Sequence, residues 1–266
     1  MKTKILVHLN LILIVLFAFN SCKKDPKEPI NSNSSSTTNS NTGKLILSFE
    51  AMFGDSVLVF HNKWYITSNG DSIKISTFKY YISNIQLTKT DNSIYIVPES
   101  YILVNHNAMG SLASFTLNNI PVGQYKGIKM LIGVDSARNV SGAQTGSLDP
   151  ANGMFWSWTT GYIMLKLEGT SPQSGSTTKD FFYHIGGFSG VTSVLKWVNP
   201  SFNSATANVT STTIPEIHFK TDISEIFKTP TTINLANDFN IVMPGVKSKM
   251  IADNYSDMIT VEHIHN

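Results

Sequence analysis

Cysteine occurs once in the 266 residues, at Cys22. A single thiol cannot form an intramolecular disulfide, so burial and hydrogen bonding must hold the fold. Charge is sparse as well. Asp, Glu, Lys and Arg make up 14% of the chain, against about a quarter in an ordinary globular protein. The 20 basic and 18 acidic side chains nearly cancel. No basic stripe runs along the sequence, which excludes the electrostatic footprint of nucleic-acid binding. Long helical patterning is missing too. So are the common catalytic signatures: there is no Gly-x-Ser-x-Gly elbow, His-Glu-x-x-His, P-loop or Cys/His dyad. Asp135, Asp149, Glu168 and Asp180 are scattered among polar segments where solvated roles are expected. An enzyme is not indicated.

The N-terminus carries an export signal. Lys2 and Lys4 precede an apolar run over residues 9–19, too short to span a bilayer but suited to a signal-peptide core. The run ends in Phe19-Asn20-Ser21-Cys22, similar to a bacterial lipobox, whose cysteine is acylated and becomes the mature N-terminus. Phe19 and Asn20 depart from the commoner aliphatic and small residues there. Ordinary cleavage near Ser21 with a free thiol is the alternative. Residues 26–42 are dominated by Ser, Asn and Thr and cannot bury enough apolar surface to order themselves. The expected organisation is a lipoprotein signal peptide over 1–21, a lipidated Cys22 with a tether to 43, and one domain over 44–266. That places the protein at an outer membrane by its lipid, facing the periplasm or the cell surface.

From Lys44 the chain reads as strand after strand. Leu45, Leu47 and Phe49 alternate with Lys44, Ile46 and Ser48, the period of a half-buried strand. Residues 73–87, 93–97, 101–105, 113–117 and 125–134 continue the pattern, with turn signals at Asn69-Gly70-Asp71 and Pro121-Val122-Gly123. Residues 135–152 form a long polar loop, of a length that suggests a function. Further strands are expected over 191–198, 214–219 and 259–265. Asp222-Ile-Ser-Glu225 fits a capping box that opens a short helix over 223–228, and residues 248–258 have helical spacing. The sum is an all-β antiparallel β-sandwich of about ten strands with one or two short helices.

Two stretches concentrate the aromatics: residues 154–169, which begin Met-Phe-Trp-Ser-Trp, and residues 181–187, Phe-Phe-Tyr-His-Ile-Gly-Gly. In an extended chain Trp156 and Trp158 share a face. Ile163, Leu165 and Leu167 then alternate with Met164, Lys166 and Glu168, and the Gly- and Ser-rich residues 169–179 turn the chain back. This reads as a hairpin with a long loop that could bring His184 near the tryptophans.

The order of signals resembles the MbnP-like copper-binding proteins: Tyr80-Tyr-Ile-Ser-Asn-Ile85, Pro121-Val-Gly-Gln-Tyr125, Gly133-Val-Asp135, Met154-Phe-Trp-Ser-Trp-Thr-Thr-Gly-Tyr162 and His184-Ile-Gly186. The resemblance spans residues 44–265. It implies a secreted or membrane-anchored bacterial protein that binds copper. In some relatives a di-haem cytochrome c peroxidase-like partner oxidises a tryptophan to kynurenine, which joins histidines at the metal. The methanotroph-type pattern also has an Asn-His pair in the loop before the tryptophan block and a Gly-Ser-Thr-Gly-Cys run after the histidine. This chain has Arg138-Asn139-Val140 and Gly186-Gly-Phe-Ser-Gly190 instead, so one expected histidine is missing.

Copper sites in exported proteins draw on imidazole, thioether and thiolate, and acylation of Cys22 removes the thiolate. That leaves His61, His106, His184, His218, His263, His265 and the methionines, among which His184, His263 and His265 are the candidate imidazoles. His263 and His265 stand two apart in a strand, about 7 Å at the backbone, on one face with Ile259 and Val261, and could replace the missing donor. An indole offers an N–H and no lone pair, so Trp156 or Trp158 could ligate only after ring opening. The residues also admit plainer readings: His184 hydrogen-bonded to its surroundings, His-x-His as polar surface, and both indoles as core. A different function remains open, a surface binding module for glycan or protein presenting Trp64, Trp156, Trp158 and Trp197.

Overall fold

The computed structural model describes residues 41–107, 110–156 and 161–266. The signal peptide, Cys22 with its expected lipid, nearly all of the tether, and Trp158 lie outside the described residues. In chain order the strands are β1 (Thr42–Phe53), β2 (Ser56–Val57), β3 (Tyr65–Ile66), β4 (Ser72–Lys89), β5 (Ile94–Ile96), β6 (Tyr101–His106), β7 (Leu112–Pro121) and β8 (Gly123–Ile132). A short helix α1 (Ser136–Val140) precedes β9 (Phe155–Trp156), β10 (Gly161–Thr170), β11 (Asp180–Gly186), β12 (Lys196–Val198), β13 (Ala207–Val209) and β14 (Glu216–Asp222). β15 (Asn240–Ile241), α2 (Val246–Asn254) and β16 (Ile259–His265) complete the chain. Seven of these strands are two or three residues long, too short to leave a period in the sequence. The nine longer ones fall on stretches expected from alternation, whereas the strands expected over 93–97 and 191–198 shrink to β5 and β12, and residues 190–192 form a 3-10 turn instead.

The strands form two sheets. The smaller runs β16-β14-β1-β2, with β7 also on β1; the larger runs β12-β8-β4-β10-β11-β15, with β3, β5 and β6 also on β4, β13 on β8 and β9 on β10. Pairing is antiparallel except for β1 with β14 and β11 with β15. Inward residues from both sheets share one core. Phe49 of β1 stacks on Phe219 of β14, with ring centroids 4.9 Å apart, and meets Tyr80 of β4 edge-on at 6.3 Å. The Tyr80 hydroxyl crosses between the sheets to the Thr221 hydroxyl, 2.8 Å away. A buried phenol must find such a partner, or its desolvation is uncompensated.

β4 shows how the register is adjusted. Its inward residues are Ile73 and Ile75, then Phe78, Tyr80 and Ile82, then Ile85 and Leu87. The phase slips twice, beside irregularities in pairing at Glu168/Gly169 and between Ser83 and Gln86, where Asn84 takes φ 53°. Bulges of this kind insert one residue and re-aim those that follow. The expected capping box at Asp222 is half made. Its carboxylate accepts from the Ser224 backbone at 2.9 Å, but Glu225 takes Lys228 instead of reaching back, and the turn over Ile223–Phe227 is a 3-10 helix.

His106 ends β6 inside the sandwich, 2% exposed and stacked on Phe78 with centroids 5.5 Å apart. Among the described residues neither ring nitrogen makes a well-formed hydrogen bond, and burial, opposed by the nearby Ser111 backbone, lowers its pKa to about 4. The unfolded chain takes up this proton near pH 6.5 and the native chain only near 4. Native stability is therefore unaffected above pH 6.5 and falls as pH drops through that window, by on the order of 3 kcal/mol. In denaturant titrations from pH 7 to 4.5, His106→Phe should flatten this acid limb. A slope equal to that of the wild type would remove His106 as its cause.

Candidate metal centre

The β10–β11 hairpin is in register Lys166↔His184, Leu167↔Tyr183 and Glu168↔Phe182. Leu165, Leu167, Phe181, Tyr183 and Ile185 fill the core, so alternation turns Lys166, Glu168 and His184 to the outer face of the larger sheet. There the His184 Nε2 meets the Glu168 carboxylate at 2.7 Å, and the Lys166 ammonium lies 3.6 Å from the same oxygen. The His184 hydrogen bond, followed by Thr77 and the Lys166 charge, outweighs desolvation and holds the Glu168 carboxyl at about 2. Lys79 stands opposite Lys166 on β4; burial and the neighbouring Lys166 lower its pKa. Both lysines clamp the preceding loop, donating to the Asn152 and Gly153 carbonyls at 3.3 and 3.2 Å.

Trp156 is 6% exposed and belongs to the core cluster, as the plainer reading of that indole expects, and its ring closes on the end of β11. β9 pairs Trp156 with Gly161, and Gly186 pairs with Ile163. A Cβ built on Gly186 would lie 2.4 Å from the Trp156 ring. The indole thus occupies the space a side chain at 186 would need. His184 and Gly186 are two residues apart on one strand, about 7 Å at the backbone, so the hairpin sets the Trp156 ring beside the column that carries His184. Trp156 also lines a cleft with Tyr162, Gly187, Phe188, Ser189 and Pro244.

The loop before the tryptophan block keeps an asparagine as a staple. Buried Asn139 accepts from the Tyr162 backbone N–H at 3.0 Å, while its amide nitrogen donates to the Val134 and Asp135 carbonyls. Val140, where the resembling pattern has histidine, is 71% exposed. No donor replaces it in α1.

His263 and His265 lie elsewhere. They are on β16 in the smaller sheet, with Val261 and Ile264 against the core. The two histidines share a face as expected, but Ile259 and Val261 are not on it. Pairing runs His218↔His263 and then Phe219↔Val261; Glu262 is an extra residue, and the bulge inverts the alternation. With His184 on the outer side of one sheet and His263 on the outer side of the other, one ion cannot join them, since stacked sheets alone are about 10 Å apart. The structure adds a residue that the sequence did not single out. His218 of β14 stacks on His263 with centroids 4.7 Å apart, and His265 meets His263 edge-on at 4.5 Å. Its outward position in a strand alternating with Ile217 and Phe219 was legible; its partner across the sheet was not.

The family model for MbnP matches residues 42–248. The chain belongs to the MbnP family. Among solved structures, MbnP from Methylosinus trichosporium is similar, with 11% identity and a TM-score of 0.48 over 83% of this chain and 98% of that one. No curated protein matches the sequence. Membership associates the chain with the copper-handling proteins of the MbnP group.

Gly186→Ala should force the Trp156 ring to shift, at a cost of about 1–3 kcal/mol. Indole fluorescence and thermal unfolding would report it, and an unchanged spectrum and Tm would show that the ring does not depend on Gly186.

Proposed function

We propose that this MbnP-family protein is exported, anchored to the outer membrane through Cys22, and binds copper beside Trp156 on the larger sheet, without a catalytic reaction of its own. The observation that carries the reading is the His184–Glu168 pair. A metal-bound histidine commonly gives its second ring nitrogen to a carboxylate, which fixes the tautomer and aims the other nitrogen at the metal. With Nε2 on Glu168 at 2.7 Å, Nδ1 is the donor. The indole cannot ligate as it stands. Opening it would break the C2–C3 bond and add two oxygen atoms; hydrolysis of the formyl group to formate would then leave kynurenine, with an aryl amine and a ketone. The oxidising equivalents would come from dioxygen or peroxide at a di-haem cytochrome c peroxidase-like partner. Trp156 and Trp158 are both candidates. With Val140 in place of a second histidine, the amine completes the donor set.

The rival reading is a glycan- or protein-binding surface. Among the described residues Trp64 and Trp197 are the exposed indoles, 47% and 48%. Each carries a lysine over one ring face, Lys74 at 4.5 Å and Lys129 at 4.8 Å, which leaves less of the platform for sugar stacking.

Protein isolated with its partner from copper-grown cells should show a gain of two oxygens less one carbon monoxide on the peptide carrying Trp156 and Trp158. His184→Ala should remove one equivalent of copper, and Glu168→Gln should weaken it by roughly 10–100-fold. An unmodified peptide together with unchanged copper content in His184→Ala would overturn the reading.

A further inference from the structure

We infer that the protein carries a second metal site, on the outer face of the smaller sheet, built from His218, Glu262 and His263 with His265 beside them, and that it takes a divalent borderline ion, Cu²⁺ or Zn²⁺. It is independent of the Trp156 and His184 chemistry.

The donors converge. One ligand atom from each of His218, Glu262 and His263 lies within 4.8 Å of the other two, a spacing one ion at bond lengths near 2.0–2.2 Å can bridge. The Glu262 carboxylate already sits 3.2 Å from the His218 Nδ1 and 3.5 Å from the His263 Nδ1. Regular alternation would send Glu262 and His263 to opposite faces. The bulge between β14 and β16 puts both against His218, and bulges are a common means of re-aiming a side chain at a site.

The surroundings hold these groups in place. Lys220 donates to the second Glu262 oxygen at 2.8 Å, leaving the oxygen nearer the imidazoles for an ion. Glu216, opposite His265 in the register, accepts from Ser48, and Ser48 meets Ser114 at 2.7 Å. Asn266 clips the end of β16 through the Asn208 N–H at 2.7 Å and the Thr206 carbonyl at 3.0 Å. Two carboxylates against one lysine favour a cation here. His184 stands instead beside Lys79 and Lys166, with one carboxylate. Imidazole and carboxylate donors suit Cu²⁺ and Zn²⁺, and no thiolate or thioether is in the cluster to select Cu⁺.

The full chain and three variants, His218→Ala/His263→Ala, Glu262→Gln and His184→Ala, would be titrated with CuCl₂ and with ZnCl₂ by calorimetry, with electron paramagnetic resonance on the copper samples. The expected result is one equivalent of either ion that survives in His184→Ala, is weakened about tenfold in Glu262→Gln, and falls by roughly two orders of magnitude in the double variant, since a lost ligand costs at least as much as a lost outer partner. Nitrogen hyperfine structure on that copper and a zinc-dependent rise in Tm should disappear with it, because an ion across β14 and β16 stabilises by mass action. Full retention of the equivalent in a folded double variant would overturn the site. So would its loss in His184→Ala alone, which would assign all the metal to the other face. Cu⁺ held there more tightly than Cu²⁺ would overturn the choice of ion.

Discussion

Side chains on a strand must point alternately to either side, and this one constraint organises the molecule. Inner faces are filled by Phe49, Tyr80, Leu165, Tyr183 and Phe219, so whatever polar chemistry the strands carry is delivered to the two outer faces. Several bulges break strict alternation, and two of them fall beside the candidate chemistry. One in β10 lies between Ile163 and Leu165, next to Trp156 and Gly186. One in β16 at Glu262 lies amid the histidines. An inserted residue is the means by which a sheet brings together groups that periodicity would keep apart.

That accounts for what the sequence disclosed and what it withheld. The strand over residues 259–265 was legible to the residue, because apolar and polar positions alternate without a Gly or Pro. The β10–β11 hairpin and the small helix α2 were legible for the same kind of reason. A bulge leaves no mark in composition, so Val261 was placed on the face of His263 when it belongs on the other. Sheet membership is long-range as well. Nothing within residues 214–222 tells that β14 lies between β1 and β16, and without that neighbour His218 reads as one more outward polar residue. The resemblance to the MbnP proteins depended on the order of short motifs, and the family match over residues 42–248 agrees with it even though the loop histidine is absent.

The two outer faces differ in electrostatic character. On the larger sheet Lys79 and Lys166 hold down the loop over residues 146–153 and share Glu168 with His184. That face is crowded, half-buried and weighted towards positive charge. On the smaller sheet His263 and His265 are more open, and Glu262 and Glu216 outnumber Lys220. The charged neighbours of each imidazole decide how readily a cation settles there. At the copper site proposed for the first face Glu168 is the one carboxylate beside His184, whereas the second face has more of its negative charge in place.

The Asn139 staple has a consequence for how such a protein can change. Its amide ties the loop to the Tyr162 and Val134 backbones, while the adjacent position, Val140, faces solvent. The backbone ties of the loop are thus carried by Asn139 alone of the two, and a substitution at the exposed neighbouring position leaves every one of them in place.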